Sequence, residues 1–314
     1  MAKLPSYVLI TPARNEAQFI ELTLRSVVAQ TVLPLKWVIV INNSTDDTEA
    51  IVRKYATDYS WIELVCMTGF SERSFAGKVL AFNAGYERVA NLDFDIVASL
   101  DGDISFDRDH FSFLLGKLAA DPTLGLVGTP FRETSQETYD YRFVSIEHVS
   151  GCCQVFRRQC FEAIGGYKPL KGGGIDLHAV ITARMKGWKT RTFTDKFCLH
   201  HRQVGTAGRG AIAARFQYGV KDYMFGNHPL WEICRAGYQM RHKPYIISGF
   251  ALMAGYLWAV SRGLEKSISP EAVCFQRRQQ MHRLSRFVHG NRSRGGENKP
   301  SSKCESATAS VDCK

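Results

Sequence analysis

The chain has 314 residues, 45% of them hydrophobic, enough for one large core, which excludes a predominantly disordered or fibrous polypeptide. Its net charge is +10, and between Arg184 and Lys243 twelve lysines and arginines face only Asp195, Asp222 and Glu232, a block suited to a phosphate-bearing partner: a nucleotide, anionic headgroups or nucleic acid. Nine cysteines without a Cys-x-x-Cys pair or metal-ligand spacing argue for reduced thiols, with Cys152 and Cys153 as small core residues rather than a redox pair.

The opening MAKLPSYVLITP holds one lysine and too short an apolar stretch for a signal peptide, so a cytosolic start is expected. Tyr7–Thr11 has the pattern of a strand, and Ala17–Gln30 places Phe19, Leu22 and Val27 at helical spacing. Trp37–Ile41 is the next strand, and Thr45–Ala56 begins with helix-capping chemistry. Trp61–Cys66, a helix over Lys78–Val89 and the strand Asp95–Leu100 repeat the alternation. Strands apolar on both faces, alternating with helices, predict an α/β fold with a mostly parallel sheet covered on both sides. Ligands of such sheets bind beyond the carboxyl ends of the strands, where TPARNE, NNSTDD and DGD fall.

Further along, Gly125–Pro130 predicts a strand, Gln154–Tyr167 a short strand and helix, and Lys171–Trp188 a glycine loop opening a helix. Thr190–Arg202 alternates like one strand ending in two histidines. Beyond Gly205 the sequence turns helical and basic. From Asn291 it has almost nothing to bury, so residues 1–204, 205–290 and 291–314 are expected to be a catalytic domain, a basic helical extension and a disordered tail.

Asp101 and Asp103 are two residues apart on an expected extended segment, so both carboxylates can point one way, with Gly102 leaving space for a ligand near the backbone. Such a pair suits Mn²⁺ or Mg²⁺ shared with phosphate oxygens; an Asp-Gly turn capping the next helix is the plainer alternative. His200 and His201 end a strand, and alternation lets only one of them meet Asp103. Asp176 follows Gly172–Gly174 at a helix start, where it serves either as a cap or as a general base for a hydroxyl.

TPARNE, INNSTDDT, GKVLAFNAG, SLDGD, FRRQCFEAIGGY and GIDLHAVITARMKGW, in this order, resemble the nucleotide-sugar glycosyltransferases of family 2, with the GT-A fold, over roughly residues 5–205. The section from Gly205 to about His289, with GNHPLWEI, resembles bacterial exopolysaccharide glycosyltransferases. The resemblance implies a nucleoside-diphosphate sugar donor, a glycan or lipid-linked acceptor and inverting transfer in cell-surface or exopolysaccharide synthesis. It places Thr11, Ala13 and Arg14 beside the nucleobase and ribose, and Asn42 where the family usually has a base-reading aspartate. Lys78 and Asn83 fall near the base or diphosphate, and Asp101 at the ribose or metal. Asp103 becomes a metal ligand with His200, or else His201, and Asp176 the catalytic base. Arg14 and Asn42 depart from the family's tyrosine and aspartate, and Ile175 from the acidic residue before the base. Gln280, Arg283 and Leu284 echo the QxxRW signature of processive synthases but lack its tryptophan, so single-sugar transfer is expected. A nucleic-acid-binding protein and a nucleotidyltransferase are the alternatives; the strand-end carboxylates oppose the first, and TPARNE lacks the glycine-rich phosphate loop of the second.

Tyr245–Val260 carries no charge, lies between Lys243 and Arg262, and has Tyr245, Tyr256 and Trp258 near its ends. At roughly 24 Å it is short of the ~30 Å hydrocarbon core. A segment lying in one leaflet at the cytoplasmic face of the inner membrane fits this pattern; a helix buried against the acceptor side is the alternative.

Overall fold

The computed structural model describes residues 3–68, 75–133, 145–170, 172–202 and 210–290; the expected tail at 291–314 lies outside them. Contacts divide the chain into two compact units, Met1–Ala207 and Gly208–Lys314.

The first unit begins with β1 (Tyr7–Ala13), α1 (Ile20–Val28), β2 (Lys36–Asn42), α2 (Thr48–Asp58), β3 (Ile62–Met67), α3 (Phe75–Glu87) and β4 (Ile96–Leu100). It continues through β5 (Ile104–Ser105), α4 (His110–Ala120), β6 (Leu124–Gly128), β7 (Phe131–Glu133), β8 (Cys153–Arg157), α5 (Arg158–Ala163), α6 (Ile175–Met185), β9 (Lys189–Thr192) and β10 (Cys198–His200). Seven strands form one sheet in the order β3-β2-β1-β4-β8-β6-β9. The pairs β1–β2, β1–β4, β2–β3 and β6–β9 are parallel, and only β8 runs against its neighbours. The carboxyl ends of β1, β2 and β4 therefore share one edge.

Period-two alternation explains why the strand sequences are apolar throughout. Tyr7, Leu9, Trp37 and Ile39 pack with Ile20, Leu24, Phe111 and Leu114 on one face. Val8, Ile10, Val38 and Val40 pack with Val79, Phe82 and Phe161 on the other. Each such aliphatic side chain contributes about 1.5–3 kcal/mol by leaving water.

Two expectations require correction. Thr190–Arg202 is not one strand: a turn at 194–196 breaks it into β9, in the large sheet, and β10, which pairs with β5 and β7 in a three-stranded sheet. Helix α2 starts at Thr48 rather than Thr45, because the Thr45 amide donates to Asn15 Oδ1 (2.8 Å) and Asp46 accepts from Ala17 N–H (3.0 Å).

The second unit consists of α7 (Ala211–Met224), α8 (Pro229–Gln239), α9 (Ile247–Ser261) and α10 (Pro270–Gly290). Helices α7 and α9 cross backbone to backbone: a Cβ on Gly219 would lie 1.9 Å from the Leu252 carbonyl oxygen, and one on Gly255 2.0 Å from that of Phe216. Beside this crossing Asp222 pairs with Arg235, and the fully buried Glu232 accepts from Asn227 Nδ2 at 3.2 Å. Asn227 Oδ1 accepts from Gln276 and Gln280, and Tyr256 donates to the Asn227 carbonyl. Gln280 also accepts the His228 N–H at 2.8 Å, while the Arg283 guanidinium stands 5.3 Å from the Trp231 ring centre. Two of the three residues that echo the processive signature, Gln280 and Arg283, are thus engaged with the NHPLWE segment.

Candidate active site

The loops after β1 and β2 are stitched together by their own polar residues. Asn15 N–H donates to Ser44 Oγ (3.0 Å), Glu16 N–H to Thr48 Oγ1 (2.8 Å), and Ala17 N–H to Asp46. Burial works against the charge of Asp46, but hydrogen bonds from Thr48 and Ala17 outweigh it and hold the carboxyl below its ordinary range. Much of TPARNE and NNSTDD therefore builds the strand-end wall. Thr11 is fully buried and accepts the Trp37 indole N–H (2.9 Å), so its side chain fixes the strand end from within. Ala13 is buried beside it and Arg14 is half-buried. Asn42 differs: it ends β2 almost wholly buried, and its Oδ1 has no hydrogen-bond partner among the described residues. A buried acceptor left unpaired costs about 1–3 kcal/mol, which a ligand N–H would relieve.

Asp101, Gly102 and Asp103 form a turn between β4 and β5 rather than an extended segment, and their carboxylates meet different partners. Lys78, from the first turns of α3, pairs with Asp101 Oδ1 at 2.5 Å. Burial raises the pKa of Asp101; Lys78 opposes that rise and neighbouring Asp103 adds to it. Burial also disfavours the Lys78 ammonium, yet Asp101, Asp176 and Asp103 together overcome it and raise the lysine's pKa. Gly102 has a different role from the one expected. An added Cβ would lie 2.9 Å from Ile20 Cδ1, so the end of that side chain on α1 would have to shift.

Asp103, 6% exposed, receives Arg202 Nε at 3.2 Å on Oδ2, and Arg202 also binds Glu16. Its Oδ1 lies 3.6 Å from His200 Nε2. His200 Nδ1 donates to the Arg202 carbonyl, which fixes the ring and turns Nε2 toward Asp103. His201 turns away: its Nε2 lies 2.7 Å from Ser105 Oγ, its ring stacks on Phe19, and burial lowers its pKa. Asp103 and His200 thus offer one oxygen and one nitrogen side by side, a pair that fits a hard divalent cation completed by outside ligands. Among the described residues no group of three or more His, Cys, Asp and Glu side chains could hold a metal alone.

Asp176 stands in the first turn of α6, behind Gly172, Gly173 and Gly174, whose φ angles of 82°, 82° and 84° belong to the left-handed region. Behind Asp176, Gln154 Nε2 donates to Val149 O (2.9 Å), and Tyr167 donates to Gln154 Oε1 (2.5 Å). Lys78, Asp101, Asp103 and Asp176 are therefore one electrostatic group. Asn83 lies on α3 five residues beyond Lys78, about 140° around the helix, and does not join it. Arg202 and Glu16 were absent from the sequence reading. Their signals were weak but present: Arg202 is two residues past His200, with the same strand parity, and Glu16 closes TPARNE.

The sequence profile of Glycosyl transferase family 2 matches residues 8–165. A curated relative, the probable glycosyltransferase YdaM of Bacillus subtilis, is 26% identical over 207 residues, 62% of this chain. The match spans about half (46%) of that relative's length. Among solved structures, mannosyltransferase PcManGT of Pyrobaculum calidifontis, in complex with GDP-Man and Mn²⁺, aligns with a TM-score of 0.55 at 21% identity, covering 93% of this chain and 83% of its own. Staphylococcus aureus TarS (residues 1–349), in complex with UDP-GlcNAc, aligns with a TM-score of 0.51 at 13% identity, covering 86% and 78%. The large, mostly parallel sheet is that of the GT-A glycosyltransferases. The family's profile extends from β1 through α5, half of the chain, and the protein belongs to glycosyl transferase family 2.

Proposed function

We propose that this glycosyltransferase moves one sugar from a nucleoside-diphosphate sugar to a hydroxyl of a glycan or lipid-linked acceptor, with inversion, in cell-surface or exopolysaccharide synthesis. The observation that carries the reading is the gathering of three carboxylates, Asp101, Asp103 and Asp176, around Lys78 at the carboxyl edge of the sheet. Such a cluster suits chemistry in which negative charge departs on one side while a hydroxyl loses its proton on the other.

Asp176 takes the acceptor's proton from a helix start whose glycine approach leaves room for that acceptor. Lys78 and Arg202 are the cations placed to meet the diphosphate, and both are about one-third exposed on their outer side. Asn42 offers its unpaired Oδ1 to an N–H of the nucleobase, with Thr11, Ala13 and Arg14 flanking base and ribose and Asn83 further along α3. Asp103 and His200, with Asp101 beside them, would hold Mn²⁺ or Mg²⁺, which supplies charge neutralisation to the departing diphosphate. PcManGT, which binds GDP-Man with Mn²⁺, and TarS, which binds UDP-GlcNAc, leave both guanine and uracil open as the base. The acceptor hydroxyl attacks the anomeric carbon directly as the nucleoside diphosphate leaves from the opposite face, and this single displacement inverts the anomeric centre.

A thermal-shift screen of UDP, GDP and dTDP sugars with and without Mn²⁺ tests this. One nucleotide should raise the Tm with Mn²⁺, and Asp103→Ala should abolish the metal-dependent part by calorimetry. A chain that responds to none of them does not have this function.

A further inference from the structure

A surface helix ordinarily turns its one apolar stripe inward. Helix α9 has two. Its inner stripe buries Leu252, Tyr256 and Ala259 within the helical unit. Its outer stripe, Ile247, Phe250, Ala254, Leu257 and Trp258, faces outward, with Phe250 63% and Leu257 57% exposed. The spacing i, i+3, i+7, i+10, i+11 puts these five on one side of the helix. Tyr245 and Ile246, each more than half exposed, continue the apolar surface ahead of the helix. Eleven of the seventeen exposed large hydrophobic residues described lie in 210–290, and seven of those fall between Tyr245 and Val260, a local concentration rather than a scatter.

Charge indicates what covers it. Exposed Arg241 and Lys243 precede the stripe and exposed Arg262 follows it, its guanidinium 5.9 Å from the Trp258 ring centre. Residues 210–290 hold eleven lysines and arginines against four acids, of which Asp222 and Glu232 are committed internally beside Arg235. A second copy would bring the same cations to both ends of the stripe, and residues 291–314 have almost no apolar side chain to lay upon it. No helix among the described residues is long and apolar enough to cross a membrane. An apolar side framed by cations at both ends suits a helix lying in the plane of a bilayer surface.

We propose that the outer face of α9, framed by Arg241, Lys243 and Arg262, docks the chain flat on an anionic lipid bilayer. The docking is independent of the sugar-transfer chemistry. Full-length protein should sediment with phosphatidylcholine–phosphatidylglycerol vesicles at low salt and much less with phosphatidylcholine alone. Phe250→Ser with Leu257→Ser should weaken binding about tenfold or more at an unchanged thermal melt. Lys243→Gln with Arg262→Gln should weaken it and flatten its salt dependence. Vesicles should also shift tryptophan emission to the blue, a shift diminished in Trp258→Phe, which keeps the test open if the double serine variant misfolds. The proposal is overturned if the protein stays in the supernatant with anionic vesicles, or if the folded double serine variant binds like wild type. Self-association through this face without vesicle binding also overturns it.

Discussion

Two clusters of paired charge, one at the sheet edge and one in the helical unit, differ in how far their carboxyls leave water. At the sheet edge, Lys78, Asp101, Asp103, His200 and Arg202 are paired, but the two cations are about one-third exposed, so an incoming phosphate can exchange for a carboxylate partner. In the helical unit, Glu232 is fully buried and held by Asn227, which the amides of α10 hold in turn, while Asp222 and Arg235 beside it are 17% and 25% exposed. Carboxylates beside cations occur in both, so residue type alone does not distinguish them. What differs is that one carboxyl of the helical cluster, Glu232, is wholly out of water and held by an amide.

Substitution should split the two clusters by readout. Asp176→Asn should lower turnover by about 10²-fold or more with donor affinity and melting temperature nearly unchanged, because it removes a proton acceptor while keeping the side chain's shape; near-wild-type turnover would end its assignment as base. Asp222→Ala should instead cost about 3 kcal/mol of stability by leaving Arg235 unpaired, measured by denaturant unfolding. A variant as stable as wild type would show that this pair does not hold the helical unit together.

The pH dependence sharpens the contrast, since the two units contain groups shifted in opposite senses. His110, in the first unit, is fully buried with neither ring nitrogen partnered among the described residues, and burial lowers its pKa from 6.5 to about 4. The unfolded chain takes up that proton more readily, so stability is lost as pH falls from about 6.5 towards 4, by about 3 kcal/mol in all. Glu232 is raised from 4.5 to about 8, chiefly by burial and then by Asp222, against Arg235. The folded state holds its proton more tightly, so this contribution is present below pH 4.5 and lost as pH rises through about 8. Melting curves against pH should lose the acid slope in His110→Leu and the opposite slope in Glu232→Gln. The smallest effect expected is that of Gln280→Leu, about 1–3 kcal/mol from unmet partners at Asn227 and His228, with sugar transfer retained. Loss of transfer at full stability would move Gln280 into the reacting site.

The sheet was legible because strand burial on both faces writes itself into sequence as β-branched runs, as in Trp37–Ile41. What escaped was short or depended on distant partners. Residues 190–202 alternate continuously, and nothing local tells that Cys198 N–H bonds to Pro130 O while Phe193 N–H bonds to Gly128 O, which draws the two halves into different sheets. Helix α4 went unread, although His110–Ala120 contributes four fully or almost fully buried side chains to the core, because its apolar residues lack a clear polar face. At the site, motif order singles out Lys78, Asp101, Asp103, His200 and Asp176 as candidates, and the structure sets Lys78 beside Asp101 and His200 beside Asp103. The division of labour between Asp101 and Asp103 required tertiary contacts, and so did Arg202, whose pairing with Glu16 spans 186 positions of sequence.

The backbone contact of α7 with α9 inverts the usual map of tolerance to change. Where the main chains meet at Gly219 and Gly255, even one added methyl has nowhere to go, so the smallest residues of this unit are the irreplaceable ones. Two of its bulky side chains, Phe250 and Trp258, project outward and can be altered without disturbing the interior, where Trp231 and Phe225 are buried. A scan that ranks positions by size would therefore misjudge this unit at both extremes: selection for folding alone would hold the glycines and let the aromatics drift, and only a demand from outside the fold would keep them.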